Sequence, residues 1–221
     1  MATSFLEVYK ANNLIKNDPR LKNLDGCELN TIRFGYLKFA ISYFLYDCRK
    51  DLNDRTDPVS SIYEFECDGV ETKFAMIPAP AENSEFVCWY IVNGEKTDVT
   101  DKCSISENTV TFDFVPVGGS GVIIKAFTYG NFNIDLDIRE INILAEGMNV
   151  PFIEESKNDE NAMKYIVTGK SLRFFSQANH IAAQNTNWEN QKYHMVDSLI
   201  SEYSYKGSED RYKGLSGRGG D

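Results

Sequence analysis

The sequence predicts an α+β fold. N- and C-terminal helices share one core, and a small antiparallel β-sandwich or barrel is inserted between them. Three observations predict it. Apolar residues recur at helical spacing from Ile32 to Leu52, alternate with period two beyond Asn53, and return to helical spacing from Ile138 onward. Neither helical stretch buries its stripe alone, so the two are expected to pack on each other. The expected divisions are 1–56 for the first helices, 57–132 for the β domain, 133–205 for the C-terminal helices and 206–221 for a flexible C-terminal arm.

In chain order, Thr3 or Ser4 caps a short helix that starts at Phe5, with Glu7 three residues after Ser4 as in a capping box. Asp18-Pro19 breaks it. A longer helix is expected after Asn30 or Thr31, running to about Leu52. Its stripe is Ile32, Tyr36, Leu37, Ala40, Ile41, Phe44, Leu45, Cys48 and Leu52, which reads as core packing. Gly35 weakens it slightly. From Asn53 the composition shifts to NDRTDPVSS, a linker. Short strands follow in IYEFECDG, ETKFAMIP, EFVCWYIVNG, KTDVTDKCSI, NTVTFDFVP and GVIIKAFTYG. Turns are expected at Asp68-Gly69, Pro78 to Pro80, Asn93-Gly94, Glu107-Asn108 and Gly118 to Gly121. Asn93-Gly94 is the strongest hairpin signal, because both residues tolerate positive φ.

In the third segment, Asp135 or Asp137 caps a helix carrying Ile138, Ile141, Leu144, Ala145 and Met148. Pro151 should end or kink it, because proline lacks the backbone donor. A short helix is expected from Asn161 to Val167, and a long one capped by Ser176 from Gln177 to about Tyr205.

The net charge of −10 is unevenly spread. Between Asp57 and Tyr129 stand twelve acidic and four basic residues, a net of −8, which leaves −2 for the rest. Such an acidic chain is poorly suited to gripping nucleic acid phosphates, although DNA could slide past it without sticking. Nothing approaches the roughly 20 apolar residues of a membrane span. MATSFLEVYK lacks the basic start and apolar run of a signal peptide. The cysteines are Cys27, Cys48, Cys67, Cys88 and Cys103, an odd number with no CxxC pair. That argues for reduced thiols rather than a disulfide framework or a zinc site.

No catalytic constellation emerges. His180 and His194 lie about 21 Å apart along one expected helix, too far to share a metal. GGSG at Gly118 to Gly121 lacks the Lys-Ser/Thr of a phosphate loop and precedes a strand. The pairs Glu154-Glu155 and Asp159-Glu160 read as a solvated face. Neither a catalytic activity nor a cofactor is expected.

Two places carry a recognisable pattern. DLDIREINILAEGMNVPFIEES (Asp135 to Ser156), then GKSLRFFSQANHI and SEYSY, resembles a family of neck proteins of tailed bacteriophages, the head–tail connectors. The matching positions are Glu140, Ile141, Ile143, Leu144, Ala145, Gly147 and Met148, then Ser171, Phe175, Ser176, Ala178 and Asn179, then Tyr203, Ser204 and Tyr205. The sequence departs at Pro151, where the family's helix continues. CDGVETKFAMIP, VNG and VTFDFVPVGGSGVIIKAF are similar to a small β module common in phage virion proteins. The resemblance implies a helical connector domain and a homo-oligomeric ring, usually a dodecamer, docked under the portal protein at the head vertex. Genomic DNA would pass through it without sequence-specific binding, with tail or further neck proteins below and no membrane involved. The protein would be assembled in the bacterial cytoplasm and belong to the virion neck. A collar, baseplate or fibre-attachment subunit is the alternative the β module alone would support. A non-viral binding module or an enzyme is the third reading, and ligand arrays with alanine substitution of Trp89 and Trp188 would reveal it.

The expected docking arm comprises Tyr203, Tyr205, Arg211, Tyr212, Leu215 and Arg218, apolar handles among glycines and charges. Tyr203 also continues the stripe of Leu199 and Ile200, which would place it in the core. Ile141, Leu144, Gly147, Met148, Phe175, Ser176 and Asn179 are expected as structural motif residues.

Overall fold

The computed structural model describes residues 2–12, 15, 18, 21–155, 186 and 196–205. The chain divides into two compact units. One holds Pro19–Ile32 and Thr56–Asn131, and the other holds Met1–Asp18, Arg33–Arg55 and Phe132–Asp221.

In the first of these, seven strands make two antiparallel sheets. They are β3 (Ser60–Glu66), β4 (Lys73–Ala75), β5 (Glu85–Val92), β6 (Glu95–Asp98), β7 (Cys103–Ser106), β8 (Thr109–Phe112) and β9 (Gly121–Phe127). The sheet orders are β3-β9-β5-β6 and β4-β8-β7. In register, Tyr63 and Cys88 both face Ile124, so three buried side chains line up across the larger sheet. Phe74, Val110 and Phe112 of the smaller sheet join them in one core with Met76 and Val99. The period-two pattern therefore resolves as a two-layer sandwich, each sheet turning alternate residues inward. Aromatic rings continue the layer, with Phe74 and Phe112 edge to face at 5.6 Å and Phe112 and Phe114 at 5.5 Å.

The turns fall where left-handed backbone is needed. Asn93 and Gly94 take φ of 51° and 83° between β5 and β6, and Glu107 takes 54° between β7 and β8. Gly118 is favoured for a different reason: a Cβ there would stand 3.1 Å from the Asp68 carbonyl oxygen, a tight contact with backbone.

The other unit is built on helices α1 (Phe5–Ala11) and α3 (Ile138–Gly147), and on α2 (Gly26–Phe44) from Arg33 onward. Ser4 Oγ accepts from the Leu6 N–H to cap α1. Asp137 caps α3 in a full capping box with Glu140. Phe5 packs on Phe34 and Phe132 at centroid distances of 5.7 and 4.8 Å. Leu37, Ala40, Phe44, Leu52, Leu144 and Met148 are all buried. Asn12 seals the end of α3: its Nδ2 donates to the Ala145 carbonyl at 2.6 Å and to Asn149 Oδ1 at 2.9 Å.

Several expectations are corrected. The α+β fold built on a helical connector domain is not what the chain forms; among the described residues, three antiparallel sheets organise it. The third sheet, in the order β1-β10-β2, pairs Thr3–Ser4, Asn131–Phe132 and Arg55–Thr56. Two-residue strands have no periodicity, and the sequence marks Thr3 only as a cap. The long helix begins at Gly26, not after Asn30, because Asp25 Oδ1 accepts from the Glu28 N–H and Glu28 Oε2 accepts from the Asp25 N–H. It ends at Phe44, and the expected stripe member Leu52 is buried from a turn beyond it. Pro151 acts as expected of a residue that lacks the backbone donor: α3 stops at Gly147, four residues before it, and a second helical stretch, 149–155, carries the proline in its first turn, where no donor is needed. The helices expected at Asn161–Val167 and Gln177–Tyr205 lie outside the described residues, apart from residue 186, a helical stretch at 198–205 and a π turn at 196–197. Among the described residues no helix is long and apolar enough to cross a membrane.

Candidate functional site

The motif segment converges on one carboxylate. Glu140 is 1% exposed in the first turn of α3. Its Oε2 accepts from Lys50 Nζ at 2.7 Å and from the Asp137 N–H at 2.8 Å. Its Oε1 accepts from the Tyr203 hydroxyl at 2.8 Å, with Cys48 Sγ at 4.0 Å. Lys50 also donates to the Asp135 carbonyl at 2.5 Å. Arg49 clasps the same tyrosine, donating to the Tyr203 carbonyl at 3.1 Å with its guanidinium 4.9 Å from the ring centre.

Burial, reinforced by the bond to Glu140, pushes the Tyr203 hydroxyl well above the ordinary tyrosine value. Burial also raises the Cys48 thiol. Both groups therefore stay protonated at neutral pH. The cluster holds the start of α3, the turn after α2 and the helical stretch 198–205 in place, and its chemistry is positioning rather than nucleophilic attack. The cleft beside it, lined by Arg139, Asn142, Ile143, Leu199, Glu202 and Tyr203, measures about 130 Å³. Small-molecule sites run to roughly 300–1,000 Å³.

A second polar cluster lies in the sandwich unit. Lys125 Nζ on β9 donates to Asp25 Oδ2 at 2.6 Å and to Glu28 Oε1 at 2.8 Å. Burial opposes charge on both partners. The mutual hydrogen bonds and charges outweigh it, holding the Asp25 carboxyl below and the Lys125 ammonium above their ordinary values. The same unit has a surface groove of about 500 Å³ along residues 79–84, with Glu82 and Glu107 as its ionisable groups. Among the described residues no group of three or more His, Cys, Asp or Glu is placed to hold a metal ion.

Of the expected motif residues, Ile141, Leu144, Gly147 and Met148 are all interior. Gly147 is required by packing, since a Cβ there would meet the Ala40 Cβ at 2.9 Å. Phe175, Ser176 and Asn179 lie outside the described residues, as do Arg211, Tyr212, Leu215 and Arg218 of the expected arm. The two described arm residues differ: Tyr203 is buried in the Glu140 cluster, and Tyr205 is 66% exposed. The core position suggested by the Leu199–Ile200 stripe is where Tyr203 stands. The sequence reading missed Lys50, Arg49 and the Lys125–Asp25–Glu28 bridge. Lysine in the apolar run GVIIKAF was the available signal for the bridge.

No family model matches the chain, and the search of curated proteins finds no match.

Proposed function

We propose that this chain is a structural subunit of a tailed-bacteriophage virion, of the head–tail connector kind, acting through self-association and docking rather than catalysis. The observation that carries the reading is the motif succession from Asp135 to Ser156, continued to Tyr205. The fold adds nothing to it, since the helical connector domain that the resemblance implied is not the architecture found. What supports a non-catalytic role is how the polar clusters are used. Glu140, Tyr203 and Lys50 satisfy one another, and so do Lys125, Asp25 and Glu28.

On this reading copies form a ring on the portal, DNA passes without sequence-specific contact, and tail or other neck proteins dock below. The acidic stretch from Asp57 to Tyr129 suits DNA that must slide rather than bind. The protein would reside in the virion neck. Tyr205 opens the segment proposed to order against a neighbour or the portal.

Negative-stain images of the purified chain, alone and mixed with candidate portal rings, test the proposal. Rings, or density added under the portal, are expected. A protein that stays monomeric at high concentration and leaves portal rings bare sinks it, as does exclusive binding to baseplate or fibre proteins. Deleting residues 206–221 should keep the circular dichroism spectrum and weaken portal docking.

A further inference from the structure

Cys88 and Cys103 come from different sheets of the sandwich, and their sulfurs stand 3.2 Å apart. Cys88, on β5, is fully buried, whereas Cys103, at the start of β7, is partly exposed. A disulfide needs about 2.0 Å between sulfurs, so the gap closes by about 1 Å through side-chain rotation. Thr100 fixes the pair from both sides. Its Oγ1 accepts from the Cys88 N–H at 3.0 Å, and its carbonyl accepts from Cys103 Sγ at 3.1 Å. Thr100 is itself held by Asp98 Oδ1, which accepts from its backbone N–H at 2.9 Å.

We propose that Cys88 and Cys103 are a disulfide site joining the two sheets, formed when the folded chain meets a small-molecule disulfide, with Cys103 reacting first. The inference rests on the sandwich unit alone and stands whatever the chain assembles with.

The chemistry is two thiol–disulfide exchanges. Cys103 loses its proton to water and attacks one sulfur of the reagent. The reagent's S–S bond breaks, one thiolate leaves and is protonated, and a mixed disulfide remains on Cys103. Cys88 then loses its proton and attacks the Cys103 sulfur, expelling the second reagent thiol. Two protein thiols are oxidised by two electrons, and one reagent disulfide is reduced to two thiols.

Accessibility decides the order, since only Cys103 meets solvent. Burial raises both thiols, and the charges of Asp113, Asp98 and Asp101 raise Cys103 further. Exchange is therefore slow. The same carboxylates set the reagent class: they attract a cationic disulfide and repel an anionic one.

The test incubates the native 221-residue chain with cystamine, which is cationic, or with oxidised glutathione, which is anionic. Each rate is divided by that reagent's rate on an unstructured thiol peptide. Intact mass should fall by two hydrogen atoms with no adduct retained, and a non-reducing digest should link the Cys88 and Cys103 peptides. Normalised cystamine rates should be several-fold higher, with the advantage shrinking in salt. The melting temperature should rise by about 5–10 °C and return on reduction. Cys48→Ser should behave as wild type, and Cys103→Ser should form no such link. A persistent adduct on Cys103, a link through Cys27, Cys48 or Cys67, or five free thiols after prolonged exposure would each overturn the proposal. The wild-type peptide map decides the matter even if Cys103→Ser fails to fold.

Discussion

Lys125 interrupts a strand of apolar side chains, and its ammonium reaches two carboxylates a hundred residues earlier in the chain. Its side chain is 11% exposed and that of Asp25 is 2% exposed, so removing the lysine strands a buried charge. Lys125→Met should cost about 3 kcal/mol, because an unpaired buried carboxylate loses its compensation while keeping its desolvation penalty. The pH dependence follows from the two shifts. Asp25 is lowered from 3.8, so its contribution is present above that unfolded value and fades as pH falls through the folded one. Lys125 is raised from 10.5, so its contribution is present below that value and fades as pH rises through the folded one. Urea midpoints for wild type and Lys125→Met should therefore differ most between these limits and converge in acid. A gap that stays constant down to about pH 2 would refute the ionic account. The lysine was legible as an anomaly, but its partners were not. Nothing local in a sequence says which of 33 acidic residues will lie beside a given strand.

The turns were the most legible elements, because their chemistry is local. Asn93-Gly94, Glu107-Asn108 and Asp68-Gly69 each place a residue at positive φ where the sequence marked a reversal. Helix limits were less legible. Asp25 and Glu28 form the capping pair of α2, but Asn30 and Thr31 offered equally good caps further on. The shortest strands were invisible to a period-based reading. Glycine within helices shows the same division between local and tertiary causes. A Cβ on Gly35 would meet nothing within 4 Å, whereas one on Gly147 would meet Ala40 Cβ at 2.9 Å and Ala40 Cα at 3.3 Å. Gly35→Ala should stabilise the protein by about 0.5–1 kcal/mol through helix propensity alone. Gly147→Ala gains the same propensity but overpacks against another helix's backbone, where adjustment costs about 1–3 kcal/mol. It should come out destabilising. Denaturant titration of both variants checks the opposite signs, and a stabilised Gly147→Ala would show that α3 can move away from Ala40 freely.

Across the whole molecule, charge is the property that bears most on assembly. Each copy carries a net −10, of which −8 lies between Asp57 and Tyr129. In the ring proposed above, such copies would raise like charge around a closed interface, with every contact recurring at each subunit. Repulsion between exposed charges is screened over about 10 Å at 0.1 M salt and over shorter distances as salt rises. Burial of apolar area is not weakened by the same change. If self-association is driven by apolar contact against an acidic background, raising monovalent salt from about 0.05 to 0.5 M should strengthen it. Sedimentation velocity at fixed protein concentration would show the larger species growing at the expense of the smaller. The opposite trend has an equally definite meaning. Dissociation by salt would place attractive ion pairs between copies, with basic residues of one subunit meeting the acidic stretch of the next. In that case substituting Lys96 or Lys102, both on the acidic unit, should leave the salt response unchanged, and the cations responsible would lie elsewhere in the chain.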